Sequence, residues 1–441
     1  MAERNSHKQE RRRARAGLVL YAVCTVIILV CFVVGGIQFL QAQGEAKQQA
    51  KEEAAAQAAL EEQQRQQEAE NARLEAAKYD FTIAFMGDVN LADGWDTMYY
   101  MSKQANGIHD CIGQSMLEKM QSADLFCVNS EFAFTSRGTP LDGKSYTFRS
   151  DPSNISVYQA MGVDMVTLAN NHIYDYGAEG LTDTLATFDR VGIGYVGAGE
   201  NIEEASAPYY AEIQGQTIAF VNASNAEVYR HTPEATEESS GILLCYEPDK
   251  FLQSIREAKQ NADYVVACVH WGTDYTYETS EEQRELGQDM ITAGADIVVG
   301  THSHCLQGIE YYNGKPIFYG LGSCWFNNKT LETFMLELHF EGNALNGGTV
   351  TTSIAPALQT GCTIRLTEGD TEWNRVTDLI LQYSDNVYIT ADGLVGEGEA
   401  PAEDAAPAEG EAAEGEAPVE GDAPVEGDAP AETDDGQTQE A

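Results

Sequence analysis

From Gly17 to Leu40 the chain reads GLVLYAVCTVIILVCFVVGGIQFL, without one charged residue. Such a run has few destinations: wound as a helix, it spans a hydrocarbon core of about 30 Å. Ahead of it stand Arg4, Lys8, Arg11, Arg12, Arg13 and Arg15. A cleaved secretory signal has an apolar core of roughly 7–15 residues followed by a small-residue cleavage site. Here the core is longer, and the LQAQG after it offers no such site. The sequence therefore predicts an uncleaved, single-pass signal-anchor in the cell membrane over residues 17–40. Residues 1–16 form a cytoplasmic basic segment, and everything beyond the span lies outside the cell. A cleaved signal is the competing reading.

The 441 residues carry a formal net charge of −44, which argues against nucleic acid as a partner because phosphate backbones need basic patches. The charge is uneven. From Gly396 onward there are sixteen Asp or Glu and no Lys or Arg, with APVEGD repeated at 417–422 and 423–428. A segment of this kind buries too little apolar surface to offset its ordering entropy, so residues 386–441 are expected to be a disordered acidic tail. Of nine cysteines, two (Cys24 and Cys31) fall in the apolar run, and the odd seven left over do not suggest a disulfide framework. Residues 41–78, rich in Ala, Glu, Gln and Lys, favour helix. With only Leu60 and Leu74 as large apolar residues they lack a heptad seam, and a solvated helical stalk is expected.

Residues 79–385 read as one domain of α/β class. Apolar runs FTIAFMGD, ADLFCVN, VDMVTLAN, TIAFVNAS, ADYVVACVH and ADIVVGTH alternate with helical patterns near 177–191, 249–261 and 280–293. Later runs, KPIFYG, TFMLELHF and GCTIRL, add sheet and suggest a sandwich of two sheets. Most of the early strands end in polar residues: Asp88, Asn129, Asn170, His270 and His302. Sites in such folds gather at the carboxyl ends of strands.

In IVVGTHSHC, His302 and His304 stand two apart at the end of a strand, where alternation would place them on one side, facing one small volume. Converging neutral imidazoles suit a metal ion. Each motif alone also has a bland reading: Asp88 as a turn residue, NNH as an amide-held turn, His270 as a half-buried ring beside Trp271. The joint pattern tips the balance, because four of only eight histidines lie at strand ends beside carboxylates and amides. Nitrogen and oxygen donors of this kind suit Zn, Mn or Fe, and a bridging carboxylate is what a two-metal centre requires.

The order GDVN, NSE, LANNHxxDYGxxGL, HWGTDY, GADIVVGTHSH and YGLGSCWF resembles the CapA family, associated with poly-γ-glutamate capsule synthesis and similar in fold to the calcineurin-like metallophosphoesterases. The likeness covers residues 81–328. It implies a four-layer α/β/β/α sandwich of the metallophosphoesterase type, two divalent ions, and as partners an anionic capsule polymer and a membrane-bound polymer synthase. Carried over by residue, Asp88 resembles a first-metal ligand and Glu131 the bridging carboxylate. Asn171, His270 and His302 resemble second-metal ligands, and His304 returns to the first metal. His172 resembles a general acid that contacts a scissile phosphate, with Asp175 orienting it. Three departures stand out: Asn90 where the superfamily has histidine, Ser303 between the last two histidines, and Gly322-Ser323-Cys324 near the end. Asn90 is the weaker ligand, so the departure implies a first metal that is loosely held or absent.

Two functions remain open on this basis. One is a metal-dependent hydrolase of phosphoesterase type. The other is a non-catalytic factor that holds or hands over capsule polymer, or a surface protein whose metal is only structural.

Overall fold

The structure, a computed structural model, describes residues 2–227 and 231–401. Most of the expected acidic tail, residues 402–441, lies outside the described residues.

Helix α1 (Ala2–Ala76) is continuous and, among the described residues, the one helix long and apolar enough to cross a membrane. Its apolar stretch is unpacked, with Leu18 75% and Phe32 77% exposed. Beyond it, amide–carboxylate pairs four residues apart, such as Gln49 Nε2 to Glu53 at 2.9 Å, support the helix in water. One residue separates α1 from strand β1 (Lys78–Val89). Asn343 Nδ2 donates to the Leu74 carbonyl at 2.6 Å, satisfying a carbonyl left open at the helix end.

The fold is mixed α/β. In the first sheet β1, β2 (Leu125–Ser130), β3 (Met165–Thr167) and β4 (Gly194–Val196) run parallel. In the second, β5 (Gln216–Ser224), β6 (Tyr264–His270), β7 (Ile297–Thr301) and β8 (Lys315–Phe318) do the same. Strands β9 (Leu331–Asn343) and β10 (Gly347–Thr360) extend the first sheet antiparallel beyond β1.

Both faces of these parallel strands are buried, which is why they read as unbroken apolar runs. On β1, Phe81, Ile83 and Phe85 join a cluster shared with Phe220, Val266 and Cys268 of the second sheet. The alternate residues Ala84 and Met86 face a second cluster with α2 (Gln114–Ser122) and α3 (Gly177–Val191). On β6, Val265, Ala267 and Val269 turn outward to α4 (Asp249–Asn261) and α5 (Glu281–Ala293). Three apolar clusters thus flank and separate two sheets, and the period-2 alternation of side chains assigns each residue to one of them. All nine cysteines are free.

Residues 386–401, expected to belong to the disordered tail, instead include strands Val387–Ile389 and Leu394–Glu397, which pair with each other, the second of them also pairing with β10. Val395 packs into the cluster between the sheets at 4% exposure. Two short strands with few apolar residues gave no periodic signal, whereas an existing sheet edge supplied the partner.

Candidate metal centre

The parallel strands of both sheets deliver their carboxyl ends to one place. Asp88 lies near the end of β1, Glu131 just past β2, Asn171 beyond β3, His270 at the last position of β6, and His302 and His304 after β7. Gly87 is required beside Asp88, since a Cβ there would lie 1.7 Å from the Gly322 carbonyl oxygen.

Two buried groups of donors share Glu131. One is Glu131, His270 and His302; the other is Asp88, Glu131 and His304. Glu131 Oε1 has no hydrogen-bond partner, yet it lies 3.7 Å from His270 Nε2 and 3.8 Å from His304 Nε2. Asp88 Oδ2 is 2.9 Å from His304 Nδ1. Asn171 Oδ1 is 2.9 Å from His270 Nε2, which adds an amide oxygen to the first group. His302 Nδ1 is a further buried atom without a partner. Lone-pair donors held this close, with a carboxylate oxygen left unsatisfied away from water, are what a cation would resolve. The residues fit a metal.

The electrostatics agree. Burial, reinforced by Asp88 and Asp274, holds the Glu131 carboxyl well above the usual range. Burial and the neighbouring imidazoles hold His270 well below its usual range. His302 is brought to about 4, chiefly by burial, against the pull of Asp274. Neutral imidazoles beside a destabilised carboxylate leave positive charge as the missing component.

His302 and His304 do share one volume, but not by strand alternation. β7 ends at Thr301, and the two histidines sit at φ +97° and +53°. This left-handed turn sets them on either side of Glu131, with ring centroids 6.1 Å apart. Non-glycine residues in such backbone are uncommon.

His172 and Asp175 form a pair beside the donors. His172 Nδ1 is 2.7 Å from Asp175 Oδ2, and its ring packs on Phe148 at 4.4 Å. Burial draws the imidazole below its usual range while Asp175 pulls it back. His172 and His304 line the same cavity of about 280 Å³.

Several supporting residues escaped the sequence reading. Lys144, on a loop, donates to Asp175 Oδ1 at 2.7 Å, to Glu227 at 3.1 Å and to the Asn171 carbonyl. Asn129 Nδ2 faces Asp88 Oδ1 at 2.8 Å, Glu131 Oε2 at 3.3 Å and His270 Nδ1 at 3.3 Å. Its position at a strand end was visible, but its role as a brace was not. Asp274 Oδ1 stands 3.4 Å from His302 Nε2. Asn90 directs Oδ1 to the Ala92 amide at 2.8 Å, and its Nδ2 is left without a partner.

Comparison with known proteins gives one family match. The model of "Bacterial capsule synthesis protein PGA_cap" matches residues 82–328. The PGA biosynthesis protein CapA of Bacillus subtilis is 35% identical over 204 residues, 45% of this chain and 53% of that protein. The capsule biosynthesis protein CapA of Bacillus anthracis is 34% identical over 220 residues, covering 48% and 52%. The chain thus spans about half the length of these relatives. Among solved structures, the NAD nucleotidase of Haemophilus influenzae aligns with a TM-score of 0.35 at 13% identity, over 70% of this chain and 64% of that one.

Proposed function

The chain belongs to the bacterial capsule synthesis family PGA_cap, and from that premise we propose that it is a membrane-anchored, outward-facing accessory of capsular polyglutamate synthesis with a hydrolytic two-metal centre. The exposed apolar stretch of α1 supports the anchor, since such a surface does not persist in water. The basic residues before it support a cytoplasmic N-terminus. The three apolar clusters support a four-layer α/β/β/α domain of the metallophosphoesterase type. In this reading a membrane-bound polymer synthase is the neighbour and the anionic polymer the client.

The observation that carries the reading is the unsatisfied Glu131 oxygen between the Nε2 atoms of His270 and His304. Glu131 would bridge two sites, Asp88 and His304 completing one, and Asn171, His270 and His302 the other. The donor set favours Mn, Zn or Fe. Bound ions of this kind supply Lewis-acid polarisation and positive charge for an oxyanion. The chain's own residues do the rest. Asp175 orients the His172 ring through Nδ1 and favours its protonated form, whose Nε2–H is the proton handed to a leaving group. Lys144 neutralises Asp175 and pins the Asn171 backbone. Phe148 and Phe326 restrict water around the imidazoles of His172 and His304, against which they pack.

A second reading, a polymer-holding factor without turnover, draws support from Asn90, whose oxygen is taken by Ala92 where a histidine ligand would complete the first site. One experiment separates the two. The full chain, purified in detergent without chelators, is assayed for metal content and for phosphodiester hydrolysis. We expect bound Mn, Zn or Fe in the wild type and loss of it in Glu131→Gln. A wild type free of transition metal sinks the hydrolase reading; metal without turnover leaves the second.

A further inference from the structure

A protein of net charge −44 can draw in an anionic chain only through local positive charge. Most basic side chains of the folded part are already matched by carboxylates, as Lys119 is by Glu337, Arg137 by Asp183, Arg284 by Glu310, Arg365 by Glu372 and Arg375 by Glu332. Lys329 is one of the exceptions, as Lys103 and Arg149 are. Among the described residues it has no carboxylate partner, and its Nζ lies 3.3 Å from the ring centroid of Tyr275.

That perch is built rather than incidental. The fully buried Gln359 donates through Nε2 to Asn327 Oδ1 at 2.9 Å and to the Lys329 carbonyl at 3.0 Å, fixing the loop that carries the lysine. Asn327 Nδ2 in turn approaches the Tyr275 hydroxyl at 3.2 Å. Tyr275, itself at φ +55°, donates its backbone N–H to the carbonyl of Ser303 at 2.7 Å. Ser303 sits between the two turn histidines, so the ammonium is clamped to the same turn that presents the metal donors. The Tyr275 ring lies 5.9 Å from that of His304, which puts the ammonium within about 9 Å of that imidazole.

Lys329 lines the 280 Å³ cavity shared by His172 and His304, which Trp95, Tyr146 and Phe148 also line. The same three aromatics line an adjoining cavity of about 510 Å³, at whose side stands Arg149, stacked over Tyr176 at 4.6 Å. Two acidic residues, Asp96 and Asp274, also line the first cavity, the second of them beside His302 Nε2. Lys329 is therefore the one Lys or Arg among the residues lining this cavity, which otherwise offers aromatic rings, imidazoles, two amides and two carboxylates.

We propose that Lys329, held on Tyr275, is an anion anchor that selects a carboxylate-bearing chain, gripping a side carboxylate while a neighbouring repeat lies at the metal centre. The inference rests on the metal-centre reading for where the second repeat lies, but the anchor itself does not require turnover. A cation held on a ring gives up little hydration when it takes an anion, and the aromatic lining accepts the chain's aliphatic stems.

The test uses the full chain in detergent, loaded with Mn²⁺, and a fluorescently labelled γ-linked glutamate oligomer read by polarisation. K329M is expected to weaken oligomer binding about tenfold or more, and K329R to keep it within roughly threefold. K103M, which removes the same charge from the ring of Tyr99 (4.9 Å), is expected to leave binding as in wild type. The oligomer with its carboxyls amidated should bind wild type as weakly as the acid form binds K329M. Mn²⁺ binding alone, read by calorimetry, checks that K329M is folded. Oligomer binding by K329M equal to wild type, or no binding by wild type, overturns the proposal. Lysine-dependent binding in a chain that holds no Mn²⁺ keeps the anchor and removes the metal-centre reading instead.

Discussion

Lys144 reaches Oδ1 of Asp175 at 2.7 Å, with both side chains shut away from solvent. Removing one partner of such a buried pair leaves an uncompensated charge. Lys144→Met is expected to destabilise the folded domain by about 3 kcal/mol in chemical unfolding. It should also cut turnover more than it lowers metal content, because Asp175 loses the charge that steadies it behind His172. Unchanged unfolding and unchanged turnover would rule out the brace.

His172 and Glu131 should separate cleanly. His172→Ala is expected to retain metal and lose roughly 10²–10⁴-fold in phosphodiester turnover, the usual range for a positioned proton donor. Glu131→Gln is expected to lose metal and turnover together. A His172→Ala chain with wild-type rates would take the proton-transfer role away from this residue.

Cation binding should expel a proton from Glu131. Its carboxyl is held well above the ordinary 4.5 by burial and by Asp88 and Asp274, whereas His302, held to about 4, is already neutral near pH 7 and has none to release. Below the folded pKa of Glu131, apparent Mn²⁺ affinity is expected to rise about tenfold per pH unit, with close to one proton released. Calorimetry in buffers of different ionisation enthalpy reads that number directly. Glu131→Gln should abolish it. A carboxyl raised in the fold favours the folded state at low pH and weakens it as pH climbs toward the folded value. Stripping the metal should therefore lower Tm more at pH 8 than at pH 5.

Asn129 braces the donors without being one of them. Its Nδ2 group faces Asp88, Glu131 and His270 while its Oδ1 accepts from Thr167 Oγ1 at 3.2 Å and Asn170 Nδ2 at 3.1 Å. Asn129→Ala is expected to weaken metal affinity roughly 10–100-fold, as loss of residues that orient ligands does. Equal affinity in a metal titration would reduce Asn129 to a packing role.

The helix bounds predicted at 177–191 and 249–261 match α3 and α4 because their apolar spacing is strong and each begins and ends at clear polar or glycine boundaries. Asp88, His270 and His302 were conspicuous for a related reason: parallel strands are buried on both faces, so a polar residue at the end of an apolar run stands out; the ligand roles of all six expected donors came from the family resemblance. Lys144 and Asp274 were not legible. They come from loops without periodicity, and only tertiary hydrogen bonds reveal their partners. The turn of His302 and His304 was misread in its geometry, since residue pattern gave no hint that β7 stops at Thr301 and the backbone turns left-handed. The strands at 387–397 were hidden for the opposite reason, lying next to a charge-rich tail that dominated local composition.

One residue separates the end of α1 from strand β1, which carries Asp88 near its own end, so anchor and chemistry belong to one unbroken stretch of chain. At 1.5 Å per residue, residues 41–76 make a rod of up to roughly 54 Å. On the reading proposed above, the domain works at a set height, like a tool on a fixed arm. Polymer hugging the lipid surface lies below its reach, whereas a strand emerging outward meets it. Shortening the arm would change which length of chain is met, with every donor around Glu131 left in place.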